Sequence, residues 1–345
     1  MVFALILLGL LLLSLLGNLS GMMGNLVSSK GKHIRAVGPK LEEVITEDND
    51  AVDKIAVIEV QGIITSRGLD QSGYSMVELI KAQLKRSEED NKVKAVIIKV
   101  DSPGGEVLAS DEIYRAIADF QKTARKPVVA SMGNLAASGG YYVSAPCQWI
   151  VANELTITGS IGVIMHSWNY RGLMNKVGLQ PETYKSGKFK DMMSGERNPE
   201  EISPEERAMV QSLIDETYNK FKGIVAKGRA DAHEKNKRNG GEEQGRTLAR
   251  DWEQYADGRV LSGNEAFKLG FVDQKGNFED AINRAKTIAG ISSANLVEFQ
   301  QRFEISDLFR LFGQSESRVV KVDWGFEPPK LQVGQLYFLA PSFAH

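Results

Sequence analysis

Val93-Lys-Ala-Val-Ile-Ile-Lys-Val-Asp-Ser-Pro-Gly-Gly-Glu106 carries the unit from which the fold is built. Its first eight residues are a β-branched run without a turn former, the composition of a buried strand. Asp101-Ser-Pro-Gly-Gly105 then stops the strand, because proline lacks an N–H and glycine adopts backbone geometries closed to other residues. Directly afterwards, Val107 to Phe120 repeats Leu108, Ile113, Ile117 and Phe120 at roughly helical spacing. The same order appears upstream, where Lys54-Ile-Ala-Val-Ile-Glu-Val60 precedes Met76 to Lys85, with Val77, Leu79, Ile80 and Leu84 near one face. Pro127-Val-Val-Ala-Ser-Met132 reads as a third strand. Alternating strands and helices predict right-handed βαβ units around a largely parallel sheet. Gln148 to Ala152 and Ile161 to Met165 read as further strands. Ser203 to Lys227 reads as a long amphipathic helix, opened by the capping box Ser203-Pro-Glu-Glu206.

The chain has 345 residues, enough for one large domain or two small ones. Lys and Arg total 42 against 44 Asp and Glu, so no basic field points to nucleic acid. Cys147 is the single cysteine, which excludes an intrachain disulfide and a thiolate metal cluster; its setting reads as that of a small buried apolar residue. There is no phosphate-binding Gly-rich loop, no His-Glu-x-x-His and no Cys-x-x-Cys, so neither a cofactor nor a metal is expected.

Residues 1–29 carry no charged side chain, and Val2 to Leu16 is almost wholly apolar. Extended to Leu26, the run reaches the roughly 20 residues that a spanning helix needs. Without a basic leader or an Ala-x-Ala site it reads as an uncleaved single-pass membrane anchor. Lys30, Lys32, Arg35 and Lys40 follow it, which on the positive-inside rule places the domain in the cytoplasm. Residues 30–52 read as a polar linker and 53–290 as the domain, with the charged stretch of about 229–254 as an insertion at its rim. Residues 291–345 read as a C-terminal extension: an amphipathic Phe303 to Phe312, then Val319-Val-Lys-Val-Asp323, then Leu336-Tyr-Phe-Leu-Ala340, able to pair with the sheet or with another subunit. No internal repeat is visible.

Ser138, in Asn134-Leu-Ala-Ala-Ser-Gly-Gly-Tyr-Tyr142, lies after a predicted strand and before a predicted helix. Peptide hydrolysis needs a nucleophile, a base and donors for a negative oxygen. Of the histidines, His33, His233 and His345 are poorly placed, which leaves His166. A lysine serves equally well once its amine is uncharged. Tyr184-Lys-Ser-Gly-Lys-Phe-Lys-Asp191 offers Lys185, Lys188 and Lys190, and spacing alone does not choose among them. The N–H groups of Gly105, its neighbour Gly104 and Gly139 are the candidate oxyanion donors. Asp101 and Asp191 are assigned no proton transfer.

Asp101-Ser-Pro-Gly-Gly-Glu106, Ala137-Ser-Gly-Gly-Tyr-Tyr142, Thr158-Gly-Ser-Ile-Gly-Val163, Lys185-Ser-Gly-Lys-Phe-Lys-Asp191 and the late Asp257-Gly-Arg-Val260 with Ala266-Phe-Lys-Leu-Gly-Phe-Val-Asp273 occur in that order. Together they resemble the signal peptide peptidase A family over roughly residues 53–290. The resemblance implies a Clp protease/crotonase-like spiral of ββα units behind one N-terminal transmembrane helix. It implies Ser138 as nucleophile, Lys190 as general base because it directly precedes the aspartate, and Ser160 as the hydroxyl that orients the amine. It also implies an ATP-independent endopeptidase that cuts residual signal peptides or other hydrophobic membrane-associated peptides, assembled as a homo-oligomeric ring or dome. The domain would then face away from the cytoplasm, against the Lys/Arg distribution. Three alternatives stand beside it: a Ser138–His166 hydrolase, a crotonase-like acyl-coenzyme A enzyme, which would need pocket carboxylates for proton transfer, and a non-catalytic membrane scaffold.

Overall fold

Strand, turn and helix alternate in the computed structural model as the hydrophobic pattern requires; it describes residues 38–67, 74–238, 244–301 and 336–340. In chain order these hold β1 (Leu41–Glu47), β2 (Lys54–Gln61), α1 (Met76–Glu89), β3 (Val93–Ser102), β4 (Gly104–Glu106), α2 (Val107–Thr123), β5 (Val128–Ala137), α3 (Gly139–Ser144), β6 (Trp149–Ala152), β7 (Ile157–Gly159), β8 (Ile164–Met165), α4 (Arg171–Lys176), α5 (Pro204–Arg238), β9 (Val260–Ser262), α6 (Gly263–Lys268), β10 (Gln274–Lys275), α7 (Phe278–Ala289), β11 (Asn295–Gln301) and β12 (Leu336–Leu339). The predicted anchor, residues 1–29, lies outside the described residues, as do Phe303 to Phe312 and Val319 to Asp323. Among the described residues no helix is long and apolar enough to cross a membrane.

The main sheet runs β1-β11-β2-β3-β5-β6-β10, with β7 paired to β5 and β9 to β7. From β11 to β10 the neighbours are parallel. Both faces are covered, which is why β2 and β3 read as continuous apolar runs. Alternate side chains serve opposite faces. Ala56, Ile58, Val60, Val96, Ile98 and Val100 meet Val77, Ile80 and Leu84 of α1 and Ile113, Ile117 and Phe120 of α2. Ile55, Ala95, Ile97 and Val129 instead meet Ala281, Ile282 and Ala285 of α7. The Ser203 capping box forms: Glu206 N–H donates to Ser203 Oγ at 3.2 Å, and Ser203 N–H donates to Glu206 Oε2 at 2.8 Å.

Three boundaries differ from the sequence reading. Leu41–Glu47, expected within a polar linker, is a strand antiparallel to β11. It is an edge strand with no fully buried residue, so no apolar alternation advertises it. β11, expected in an extension beyond residue 290, sits inside the main sheet between β1 and β2. The supposed charged insertion from residue 229 begins instead inside α5, which continues to Arg238. Arg229 is 1% exposed; its guanidinium is ion-paired with Asp273 Oδ2 and donates to the Cys147 carbonyl at 3.1 Å. Asn236 exchanges hydrogen bonds with Gln148 on the same face of the helix. The stretch reads as an insertion because the partners of these residues, Asp273 and Gln148, are far away in sequence. Cys147 is buried, and burial pushes its thiol up to about 12.

Candidate active site

The site grows from the ends of β5 and β7. These strands pair in parallel register with Ala137 opposite Gly159, so Ser138 and Ser160 leave the sheet side by side. Ser138 N–H donates to the Gly159 carbonyl at 2.8 Å, and the Ser138 carbonyl accepts Tyr142 N–H at 2.9 Å as α3 begins. The price of this sharp turn is backbone strain: Ser138 has φ 53° and ψ −115°, and Ser160 has φ 49°. Each such residue costs about 1–3 kcal/mol unless its surroundings impose the conformation. Here they do, and the result is a nucleophile elbow in which a serine tops a strand-to-helix turn. Ser138 is fully buried and its Oγ has no hydrogen-bond partner.

Close packing explains the glycines. A Cβ on Gly139 would lie 2.7 Å from Ser110 Oγ, 3.0 Å from Gly104 Cα and 3.1 Å from Gly105 N. One on Gly105 would lie 2.0 Å from the Ile64 carbonyl oxygen, and one on Gly104, where φ is 99°, would come within 2.6 Å of Gly139 N. Gly104, Gly105 and Gly139 therefore converge within one contact distance beside the serine. The Gly105 and Gly139 N–H groups are the candidate donors to a developing oxyanion, whereas the Gly104 N–H donates to Ser102 Oγ at 3.1 Å.

Ser160 is held from the other side. Its N–H donates to the Arg259 carbonyl at 2.7 Å. Arg259 grips Asp257 through two nitrogens, at 2.7 and 2.6 Å, and these hydrogen bonds hold the Asp257 carboxyl at about 2. The Asp257-Gly-Arg-Val260 string is thus a brace for the Ser160 turn. Asp101 Oδ1 accepts Leu135 N–H at 3.1 Å and ties β3 to β5.

Lys190 is not brought to Ser138. It lies exposed in an irregular segment with no ion pair among the described residues, whereas Lys185 pairs with Asp191 at 2.6 Å and Lys188 with Glu205 at 2.7 Å. His166 Nε2 is buried and unpartnered, and likewise does not bond Ser138. Among the described residues no group of three or more His, Cys, Asp or Glu could hold a metal ion.

Two features escaped the sequence reading. Tyr142 OH donates to Asp111 Oδ1 at 2.8 Å, and Lys220 and Arg115 also bind Asp111, each at 2.8 Å. Burial alone would raise the Asp111 carboxyl, but these three donors hold it below the ordinary range. Burial, reinforced by Asp111, raises the Tyr142 phenol well above its usual value. The Tyr-Tyr pair after Gly-Gly was visible in the sequence, but its partners on α2 and α5 were not. The second feature is a three-stranded sheet, β4-β12-β8, in which β12 fills the space between the glycine strand and β8.

A strained serine elbow at the end of a mostly parallel sheet, packed among Gly104, Gly105 and Gly139, defines a serine hydrolase of Clp protease-like α/β fold. The profile of peptidase family S49 matches residues 120–244 and 242–292, and that of Clp protease matches residues 49–147. The chain is 41% identical over 238 residues to a putative protease of Synechocystis sp., covering 69% of this chain and 75% of the relative. It is 36% identical over 265 residues to the putative signal peptide peptidase SppA of Enterococcus faecium, covering 76% and 71%. The chloroplastic serine protease SPPA of Arabidopsis thaliana is 35% identical over 242 residues, 69% of this chain and 33% of that one. The chain belongs to peptidase family S49 and is a serine peptidase.

Proposed function

We propose that the chain is a membrane-anchored endopeptidase in which Ser138 attacks the peptide carbonyl, Lys190 accepts the serine proton and Ser160 orients the amine. The observation that carries this reading is the Ser138 hydroxyl, buried and unpartnered on a strained elbow against Gly139 and Gly105. Oxygen charge develops toward the Gly105 and Gly139 N–H groups, and the proton held by the amine passes to the leaving nitrogen. Water then hydrolyses the acyl-serine.

An amine works as a base only where it is shielded from water. The segment that carries Lys190 also exposes Trp168 (74%), Leu173, Val177, Leu179 and Tyr184 (91%). Apolar exposure of this density supports burial against further copies of the chain, hence a homo-oligomeric ring or dome that closes the site. The apolar residues 1–29 support attachment to the bilayer, with the domain on the extracytoplasmic side. Substrates would be hydrophobic peptides, such as signal peptides left after preprotein cleavage.

The test is hydrolysis of a fluorogenic hydrophobic peptide by the full chain in detergent, across about pH 6 to 10. Loss in Ser138→Ala and Lys190→Ala, with His166→Ala active and a rate rising with pH, supports the dyad. Activity surviving Lys190→Ala sinks it. A Ser138–His166 pair is the second reading, favoured by the buried, unpartnered His166 Nε2, and the same assay decides it.

A further inference from the structure

The N-terminal ends of β3, β5 and β6 open on a cavity of about 490 Å³ that takes no part in the serine site. Val93 begins β3, Pro127 precedes β5 and Gln148 precedes β6, and all three line it. Ser138 follows the far end of β5, a strand of ten residues and so about 30 Å long. Four cations line the same cavity: Lys94 of β3, Arg125 and Lys126 in the turn after α2, and Lys235 in the last turn of α5. No lining residue is acidic. Burial lowers the Lys126 amine; Asp90 and Glu88 oppose this and Lys94 adds to it, so two like charges share one wall.

Basic side chains near helix ends commonly serve the helices themselves. Lys126 does: its amine donates to the Ser87, Glu88 and Asp90 carbonyls at the end of α1, at 2.7, 3.2 and 2.8 Å. Lys94 donates to the Asn91 carbonyl at 3.1 Å and faces Asp53 at 3.7 Å, while Asp90 is itself bound to Lys54 at 3.1 Å. Lys235 is different, because burial lowers its amine below the ordinary value and no carboxylate raises it again. Arg125 takes the left-handed position that closes α2, with φ 55°, where glycine or asparagine is the usual choice. Its guanidinium has no ion pair among the described residues. A partly desolvated cation without a counter-charge is a cost that an anion removes.

We propose that this cavity binds a small phosphate-bearing anion, held by Arg125 and Lys235 and further attracted by Lys94 and Lys126. The cations come from three separate elements, β3, the turn after α2, and α5, and so meet an anion from different directions. A phosphate presents its oxygens tetrahedrally to all of them, where a carboxylate presents two in one plane. Its charge of about −1.5 to −2 near neutral pH matches the two uncommitted cations. Arginine adds a planar fork that takes two oxygens at once. The volume lies within the range of about 300–1,000 Å³ for small-molecule sites, which leaves room beyond one phosphate. Val93, Ile288 and Ala289 supply apolar contact for the rest of the molecule. A soluble phosphate ester and a phospholipid headgroup share this chemistry. The site depends on neither Ser138 nor Lys190.

Isothermal titration of the full chain in detergent with pyrophosphate, and in parallel with dihexanoyl phosphatidic acid, tests this at physiological ionic strength, where scattered surface charge is screened. At least one of the two should bind, and Lys235→Ala and Arg125→Asn should each weaken it about tenfold, the scale of one charge-assisted hydrogen bond. Asparagine suits the left-handed backbone, so Arg125→Asn removes the charge without adding strain. Lys222→Ala, which takes an equal charge from the same helix outside the cavity, should leave the affinity unchanged. Ligand-free melting temperatures like that of wild type, expected for all three variants, show that the losses come from the cavity and not from unfolding. Tighter binding of pyrophosphate assigns the site to soluble phosphate compounds, and tighter binding of the lipid assigns it to headgroups. Absence of binding by both, affinity unaltered in Lys235→Ala and Arg125→Asn, or an equal loss in Lys222→Ala overturns the proposal.

Discussion

The two halves of the proposed catalytic centre are built in opposite ways. Ser138 stands in the buried interior, its main chain bonded to Gly159 and Tyr142 and its glycine neighbours pressed against β4. Lys190 stands on an exposed segment whose described polar contacts are local or at the surface, such as Lys185 with Asp191 and Lys188 with Glu205. A nucleophile and an oxyanion cradle must be rigid, because their catalytic value lies in not having to reorganise. A lysine base has the other requirement, since its amine must lose water before it can accept a proton. One chain supplies the first condition and leaves the second to something that covers the segment.

Breaking the rigid half should have the largest effect. Ser138→Ala is expected to lower kcat about 10⁶-fold, the scale seen when a serine nucleophile is removed, while thermal stability stays at or above that of wild type because a buried hydroxyl without a hydrogen-bond partner is removed. Peptide hydrolysis and a melting curve on the same sample check both parts. A smaller loss, about 10³-fold, is expected for Lys190→Ala, in line with general-base catalysis. Lys190→Arg should be equally inactive, because a guanidinium keeps its proton. Lys185→Ala and Lys188→Ala should retain most activity; if either matches the Lys190→Ala loss, the base has been misassigned.

Three stability measurements sharpen the contrast, two of them on buried groups of the scaffold and one on an exposed pair. Arg229→Met leaves the Asp273 carboxylate buried without its ion pair, which should destabilise the fold by about 3–5 kcal/mol in denaturant unfolding. A deletion of the exposed Lys188–Glu205 pair should change little by the same measure. Asp111→Asn should cost about 2 kcal/mol near neutral pH, because Lys220, Arg115 and Tyr142 donate to this carboxylate. The folded Asp111 carboxyl is held below its unfolded value, so its contribution is complete above about pH 4 and fades as pH falls through the folded value. Unfolding free energies of wild type and Asp111→Asn should therefore converge in acid; a constant gap down to low pH would show that the carboxylate charge is not what stabilises.

Much of the centre was legible along the chain. The strand that ends at Asp101-Ser-Pro-Gly-Gly105 and the one that ends at Ser138-Gly-Gly140 were both readable, because local apolar runs and turn formers encode them. β1 was not, since an exposed edge strand lacks the alternation by which strands are found and owes its existence to β11 near the other end of the chain. Arg229 falls in the stretch that reads as a charged insertion at the rim, because its partner Asp273 is invisible to any local pattern. Leu336 to Ala340 was recognisable as strand-forming, but nothing local said that it would lie between β4 and β8.

By itself, then, the order of residues determined the repeating strand–turn–helix unit, the parallel sheet and the glycine-flanked serine, all of which depend on interactions between near neighbours. Only the tertiary structure decided the strain at Ser138, the separation of Lys190 from it, the burial of Arg229 and the place of β12 between β4 and β8. Each of these depends on which distant segments share a surface, and that is settled by long-range strand pairing and packing rather than by local preference.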